Sequence, residues 1–202
     1  MSKKDHLILL DCLTLEAKFI PANFKSCKIL LINSKVSHSI ADGEYNTRRK
    51  EWESALRIIR DQYEEVKTLR DVTLELLDSC RSQLSEKQYN RVLYVFQENK
   101  RVLEAANLLK SGELQAFGKL MFQSHYGLRD FYEVSCKELD FLVKFSAEKN
   151  FIYGSRMMGG GFGGCTMNLI EEAHIADFSE EVSIAYQKEF NIKPEMITVV
   201  PG

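Results

Sequence analysis

The first apolar residues of the chain occur in short runs that are separated by polar residues. Three of these runs lie between Leu7 and Lys35 and read LILLDC, LEAKFI and KILLINS. Aliphatic runs of this length, one of them with partial alternation of apolar and polar positions, are typical of β-strands. We therefore expect three strands before the first helix.

The apolar positions then recur every three or four residues, which is the spacing of one buried helix face. The predicted faces of three successive helices are Trp52, Ala55, Leu56, Ile59 and Tyr63, then Leu69, Val72, Leu76, Cys80 and Leu84, then Val92, Phe96, Leu103 and Ala106. Gly112 is expected to end the third helix, because glycine is favoured just after a helix. Residues 113–149 are predicted to be mostly helical, with a break near Tyr126 and Gly127.

The last fifty residues have a different pattern. A strand that leads into a glycine-rich run, a strand CTMNLI, a helix over about 173–190 and a strand EMITVV predict a β-β-α-β ending. Asp177 and Glu180 have the spacing of a capping box, so the helix start stays open by one turn. The whole pattern predicts an α+β fold, with helices packed on one face of a largely antiparallel sheet.

Composition narrows the possible functions. A chain of 202 residues with 45% hydrophobic residues can form one substantial domain, or one domain and part of another. A net charge of −2 does not attract nucleic acid or anionic membranes, and no apolar run reaches membrane-spanning length. Five distant cysteines without a CxxC pair, and four scattered histidines, favour reduced thiols in a cytoplasmic protein and no zinc site. We expect neither a nucleic-acid nor a membrane partner.

Residues 154–170, GSRMMGGGFGGCTMNLI, contain the most unusual run, since five of the six residues from 159 to 164 are glycine. One interpretation is a tight connection between two strands. Another is a loop whose amides face an anion, as in phosphate-binding nests. No Lys-Ser/Thr pair closes the run as in a Walker A loop, and a dinucleotide pattern matches trivially in a run this rich in glycine. The glycines alone leave both interpretations open.

Three ordered blocks carry a resemblance to a known family. SRMMGGGFGGCTMNLI (155–170) resembles the third motif of the GHMP kinases in its galactokinase version. INSKVSHSIADGEYNTRR (32–49) and MFQSHYGLRDFYEVSCKELDFLV (121–143) are similar to two further galactokinase segments. Met158 stands where threonine is usual, and Gly43 stands where a serine often precedes the Glu-Tyr pair. The resemblance implies a GHMP kinase C-terminal domain with a ferredoxin-like core over 27–202, and residual strands of the kinase N-terminal domain over 1–26.

The same resemblance implies transfer of the ATP γ-phosphate to the anomeric hydroxyl of galactose, with Mg²⁺. In galactokinases the catalytic aspartate, a nearby arginine and the phosphate loop lie in the N-terminal half, together with most ligands of ATP and Mg²⁺. This sequence contains no stretch like GRVNLIGEHTDY, GLSSSA or MDQ, so the resemblance predicts no catalytic residue and no metal ligand in this chain. A truncated gene, a late internal start and a deliberately expressed piece all fit this pattern.

Site residues are carried over from the matching positions. Tyr45 matches the tyrosine that hydrogen-bonds the sugar; otherwise it would be an aromatic residue packed at a helix start. The expected support for the phosphate loop comes from Gly159, Gly160, Gly161, Phe162, Gly163 and Gly164. Phe162 is interpreted as a packing residue, and Arg48 and Arg49 as a solvated helix face. His125 is interpreted as a hydrogen-bonded helix histidine, His38 as structural, and Cys136 and Cys165 as buried small residues.

Two functions remain open on this basis. The first is the C-terminal part of a galactokinase that works only with an N-terminal half. The second is a non-catalytic, galactokinase-like binding or regulatory module, or an inactive remnant. In both cases the strands LILLDC and LEAKFI would expose apolar surface, which predicts self-association of the isolated chain.

Overall fold

The computed structural model describes residues 3–37 and 41–199. In chain order the elements are β1 (His6–Leu10), β2 (Ala17–Pro21), β3 (Cys27–Ser37), α1 (Ala41–Gln62), α2 (Leu74–Ser79), α3 (Glu86–Ser111), α4 (Leu114–Asp130), α5 (Lys137–Ala147), β4 (Ile152–Met157), β5 (Gly163–Glu171), α6 (Ile175–Phe190) and β6 (Glu195–Val199). The three predicted N-terminal strands and the β-β-α-β ending are confirmed.

Four strands form the central sheet, in the order β4-β5-β3-β6, and every neighbouring pair is antiparallel. Helices α1 to α5 connect β3 to β4, and α6 connects β5 to β6. This is the βαββαβ arrangement of a ferredoxin-like fold, in which two split βαβ units share one sheet. The predicted α+β class and ferredoxin-like core are therefore confirmed.

The aliphatic run of β3 fills both sides of the sheet, because successive side chains point to opposite faces. Leu30 and Ile32 are fully buried against residues of α5 and α6, including Leu142 and Phe178. Ile29 faces the other way, in a cluster formed by the ends of α3 and α4 and by the hairpin of β1 and β2. Burial of each such side chain contributes about 1.5–3 kcal/mol.

Strands β1 and β2 form a separate antiparallel hairpin, with Leu7 paired to Ile20 and Ile8 to Phe19. Ile20 is buried against the core of the sheet, whereas Ile8 and Phe19 are 48% and 39% exposed. The hairpin therefore presents an apolar outer face to solvent. Among residues 3–37 and 41–199, no helix is both long enough and apolar enough to cross a bilayer.

The prediction of one helix across Leu69 to Leu84 is wrong. The chain forms a short 3-10 turn at Leu69–Asp71 and then the six-residue α2. Thr68 and Thr73 cause the interruption, because each side chain accepts a hydrogen bond from the backbone two or three residues later. Such local bonds favour new helix starts over helix interiors.

The predicted break near Tyr126 and Gly127 is also wrong, because α4 continues to Asp130. Gly127 serves packing instead: a Cβ there would lie 2.9 Å from Cδ2 of Tyr94 on α3.

The buried face of α3 is predicted only in part. Val92 and Ala106 are buried as predicted, but Leu103 is 60% exposed where the helix lies beside the hairpin. Gly112 ends α3 with a φ of 71°, as predicted.

Candidate functional site

The glycine-rich run forms the loop that joins β4 to β5. Positive φ angles occur at Gly159 (75°), Gly161 (90°), Phe162 (58°), Gly163 (128°) and Gly164 (83°). Side chains with a Cβ are disfavoured in this region, so the composition of the run follows from its backbone path. We call residues 158–164 the glycine loop.

The inner side of the glycine loop rests on the connection between α4 and α5. The backbone N–H of Phe162 donates to the carbonyl of Val134 over 2.8 Å. At Gly161 a Cβ would overlap that same carbonyl oxygen and lie 2.9 Å from Cβ of Val134. The Phe162 side chain packs on a buried cluster that contains Val134 and Met157. Its interpretation as a packing residue is therefore confirmed.

The outer side of the glycine loop is open. Apart from the glycine itself and its two chain neighbours, no heavy atom of the described residues lies within 4 Å of an ideal Cβ at Gly159, Gly160 or Gly164. These glycines line a shallow depression of about 480 Å³, whose other wall is formed by Asn33, Lys35 and Val36 of β3. Gly160 has neither a positive φ nor a close neighbour in this part of the chain. Neither steric contact nor a positive φ therefore accounts for glycine at position 160.

The β3 wall of the depression is fixed by hydrogen bonds around Ser34. Its hydroxyl donates to the Gly164 carbonyl over 2.7 Å and accepts from the Val36 N–H over 3.2 Å. The Tyr186 hydroxyl of α6 donates to the Ser34 carbonyl over 2.9 Å, and burial raises the pKa of Tyr186 to about 12. Tyr186 therefore stays protonated and remains a donor at neutral pH. The Lys35 ammonium, which lies on the rim, pairs with Glu195.

Tyr45, the predicted sugar contact, belongs to α1 by its backbone. Its side chain lies outside the described residues, as does the whole of His38. Both interpretations therefore stay predictions. The part of α1 that is described nearby is nevertheless informative, because its arginine behaves differently from expectation.

The interpretation of Arg48 as a solvated residue is wrong. The residue is only 8% exposed, and its Nε donates to the carbonyls of Tyr132 and Glu133 over 3.1 and 3.2 Å. Ion pairs with Glu44 and Glu51 hold its Nη1. The neighbouring Arg49 has a 63% exposed side chain and fits the solvated interpretation. Arg48 was misassigned because its acceptors are more than eighty residues away in sequence.

Sequence reasoning did not single out Arg91 of α3, although it is fully buried. Its Nε donates to Glu51 and its Nη2 to Glu133, each over 2.7 Å, while Nη1 donates to the Phe131 carbonyl. Partial burial raises the pKa of the Glu133 carboxyl. The hydrogen bond from Arg91, together with the positive charges of Arg91 and Arg48, has the larger effect, so the pKa of Glu133 is lowered overall. The only sequence signal is a charge among the apolar positions of α3.

His125 is fully buried on α4, as expected for a structural histidine. Its Nδ1 accepts a hydrogen bond of 3.3 Å from the Met157 N–H, at the end of β4. Its Nε2 lies 3.2 Å from the Asp140 carboxylate, without hydrogen-bond geometry.

The two cysteines of the family-like blocks are not activated thiols. Burial raises the pKa of Cys136 to about 11 and also raises the pKa of Cys165.

Within residues 3–37 and 41–199, no group of three or more His, Cys, Asp or Glu side chains is placed to hold a metal ion. The glycine loop, in contrast, fits an approaching phosphate or another backbone segment, since its outer glycines leave their Cβ positions empty.

Comparison with known proteins assigns the fold and the glycine loop to a family. Residues 102–188 match the model described as GHMP kinases C terminal. The galactokinase of Thermotoga maritima is 42% identical over 190 residues, which are 94% of this chain and 52% of that protein. The galactokinase of Homo sapiens is 43% identical over 171 residues, which are 85% of this chain and 42% of that protein.

A solved structure gives the same result. The crystal structure of Lactococcus lactis galactokinase complexed with galactose aligns with a TM-score of 0.93 and 27% identity, over 99% of this chain and 52% of that chain. The chain spans about half the length of the curated relatives it matches. It therefore carries the C-terminal domain of the GHMP kinase family and corresponds in sequence and fold to the C-terminal half of galactokinases.

Proposed function

We propose that this chain supplies the C-terminal, glycine-loop half of a cytoplasmic galactokinase, which transfers the γ-phosphate of ATP to the anomeric hydroxyl of galactose. The observation that carries the proposal is the fold alignment with a galactokinase over 99% of this chain. The open outer side of Gly159, Gly160 and Gly164 supports it, because backbone without side chains lets a phosphate or a phosphate-binding segment approach closely.

The chemistry of phosphoryl transfer explains what such a half would contribute. The protein positions the phosphate and the attacking hydroxyl and stabilises spreading negative charge, with little covalent chemistry of its own. In this proposal Gly159, Gly160 and Gly164 allow the phosphate-binding segment of an N-terminal half to approach the glycine loop closely. Tyr45 hydrogen-bonds the sugar, and the catalytic base and most ligands of ATP and Mg²⁺ come from the N-terminal half.

We propose a domain boundary at residues 26 and 27, beside a hairpin whose inner face packs on this domain and whose outer face is exposed. Its outer face and turn expose five large apolar side chains, namely Ile8, Leu10, Leu13, Leu15 and Phe19. Exposed apolar side chains grouped on one hairpin are characteristic of an interaction surface. We propose that residues 1–26 pack against the N-terminal half, and that the chain alone self-associates through this patch. Light scattering that shows a monomer at all concentrations would contradict the second part.

The proposal is tested by measuring ADP release from ATP and galactose with the purified chain, with a separately expressed N-terminal galactokinase half, and with both together. Turnover is expected only in the mixture, and Tyr45→Phe in the mixture is expected to raise the KM for galactose. Turnover by the chain alone would contradict the absence of a catalytic residue. If the mixture is inactive but the chain still binds galactose or ATP, the non-catalytic alternative is favoured.

A further inference from the structure

We propose that Arg91 is a positioning residue for the glycine loop. The guanidinium does not touch the loop itself. It holds residues 131–134, the connection between α4 and α5 on which the loop rests. The structural part of this inference stands without the proposed function, whereas its consequence for phosphoryl transfer rests on it.

The first step is that two arginines donate hydrogen bonds to three consecutive backbone carbonyls. Arg91 donates to the carbonyl of Phe131 and to the side chain of Glu133. Arg48, from α1, donates to the carbonyls of Tyr132 and Glu133. Glu51 of α1 accepts from Arg91 and lies 3.8 Å from Arg48, so it links the two cations. Side chains of α1 and α3 thus hold the backbone of the connection together.

The second step is the backbone conformation that these hydrogen bonds maintain. Glu133 has a φ of 54°, in the left-handed region that a residue with a Cβ adopts at a cost. The Val134 N–H turns back to donate to the Leu128 carbonyl over 3.0 Å, which closes the end of α4. The Val134 carbonyl faces the glycine loop and accepts the Phe162 N–H over 2.8 Å.

The third step is the choice of arginine. Three separate acceptors surround the buried Arg91 side chain, and the planar, forked guanidinium serves all of them at once. A lysine keeps the charge but offers donors from a single nitrogen. A buried ion pair is weak evidence for net stability, because desolvation offsets much of its attraction. The geometry therefore points to a role in fixing the connection as well as in folding.

The test separates loop positioning from general stabilisation by amide hydrogen exchange on the full chain. The variants are Arg91→Lys and Glu133→Gln; the second is the safer for folding, because the Glu133 side chain is 42% exposed. Matched controls are Arg101→Lys, whose ion pair with Glu98 lies within α3, and Asp130→Asn, which pairs with Arg129.

Both variants weaken the charge-assisted contact between Arg91 and Glu133, which is expected to speed exchange at the Phe162 amide at least roughly tenfold. Exchange of the Met167 and Leu169 amides in β5 is expected to stay unchanged, and the controls to resemble the parent chain at every site. The double variant should show less than the sum of the two single effects, because both act through one contact.

Two results would overturn the inference. One is an unchanged exchange rate of the Phe162 amide in folded Arg91→Lys and Glu133→Gln. The other is an equal acceleration of exchange throughout β5, because that would indicate general destabilisation. In an active mixture with an N-terminal half, Glu133→Gln is expected to lower kcat and leave the KM for galactose unchanged, and the reverse pattern would contradict the kinetic role. An inactive parent mixture would count against the proposed function and leave the exchange result standing.

Discussion

Two regions of this molecule depend on glycine, and they use it in opposite ways. Where α4 crosses β4, Gly118 and Gly154 face one another, and a Cβ on either would overlap backbone atoms of the other segment. In the glycine loop, Gly159, Gly160 and Gly164 face a space that the described residues leave empty. The first region uses glycine to close the distance between two elements of this chain. The second keeps a surface clear for something else.

This difference is informative because both regions are rich in the same residue. A glycine whose Cβ position is filled by its own chain is accounted for by folding. A glycine whose Cβ position is open, and whose φ is not positive, is not accounted for in this way, and Gly160 is of this kind. Alanine substitutions can therefore divide the glycines into those that serve folding and those that serve function.

The largest effect is expected at the helix–strand contact. Gly118→Ala places a methyl group against the Tyr153 carbonyl and 2.8 Å from the Gly154 nitrogen, and backbone cannot yield as a flexible side chain can. Overpacking of this kind is expected to cost about 3 kcal/mol in the free energy of unfolding, measured by urea denaturation. Gly127→Ala on the same helix meets only the Tyr94 ring and should cost less. Equal costs at the two positions would break the comparison.

An intermediate effect is expected at Gly161, where a Cβ would press onto Val134. Gly161→Ala combines that overlap with a φ of 90°, so a loss of about 2 kcal/mol is expected. Because the strain is confined to the loop and its support, hydrogen exchange should accelerate at Phe162 more than in β3. A uniform acceleration would show that the loop is not a separate unit.

A smaller effect is expected at Gly159, where only the backbone angle opposes a side chain. With a φ of 75° and open space around it, Gly159→Ala is expected to cost about 1 kcal/mol. Thermal unfolding of Gly159→Ala measures the free-energy cost of the positive φ alone. The additional loss in Gly161→Ala then measures the cost of the overlap with Val134. A loss as large as that of Gly161→Ala would mean that the outer side of the loop is less open than described.

The smallest effect on stability is expected at Gly160. Gly160→Ala meets neither a contact nor a positive φ, so its free energy of unfolding should stay within about 0.5 kcal/mol of the parent chain. The urea midpoint measures this directly. A larger loss would mean that folding alone explains this glycine.

The features that were predictable from sequence are those that local patterns determine. The aliphatic run KILLINS gave β3, and the position of Gly112 gave the end of α3. The helix over Leu69 to Leu84 failed because two threonine side chains, each bonded to nearby backbone, start new segments inside an apolar period of the helical type. The spacing of apolar residues indicates which face of a helix is buried. It does not indicate that a side chain will compete with the helix for backbone hydrogen bonds.

The features that were missed depend on long-range contacts. Gly127 was interpreted as a break, but it accommodates a ring from α3, more than thirty residues earlier. Arg48 and Arg91 are charged residues on helices, and their burial follows only from carboxylates and carbonyls of α1 and of residues 131–133. Glycine composition and a family motif both mark the glycine loop in the sequence, while its support by Val134 is visible only in the fold.

The most direct test of this account is the rate of ADP release by Gly160→Ala in the mixture with an N-terminal galactokinase half, at a temperature where variant and parent are equally folded. The account predicts a large loss of turnover with an unchanged free energy of unfolding, because the methyl group would occupy the surface kept open for the phosphate-binding segment. Parental turnover by Gly160→Ala in an active mixture would contradict it and would make the open glycines a structural feature without a role in the reaction.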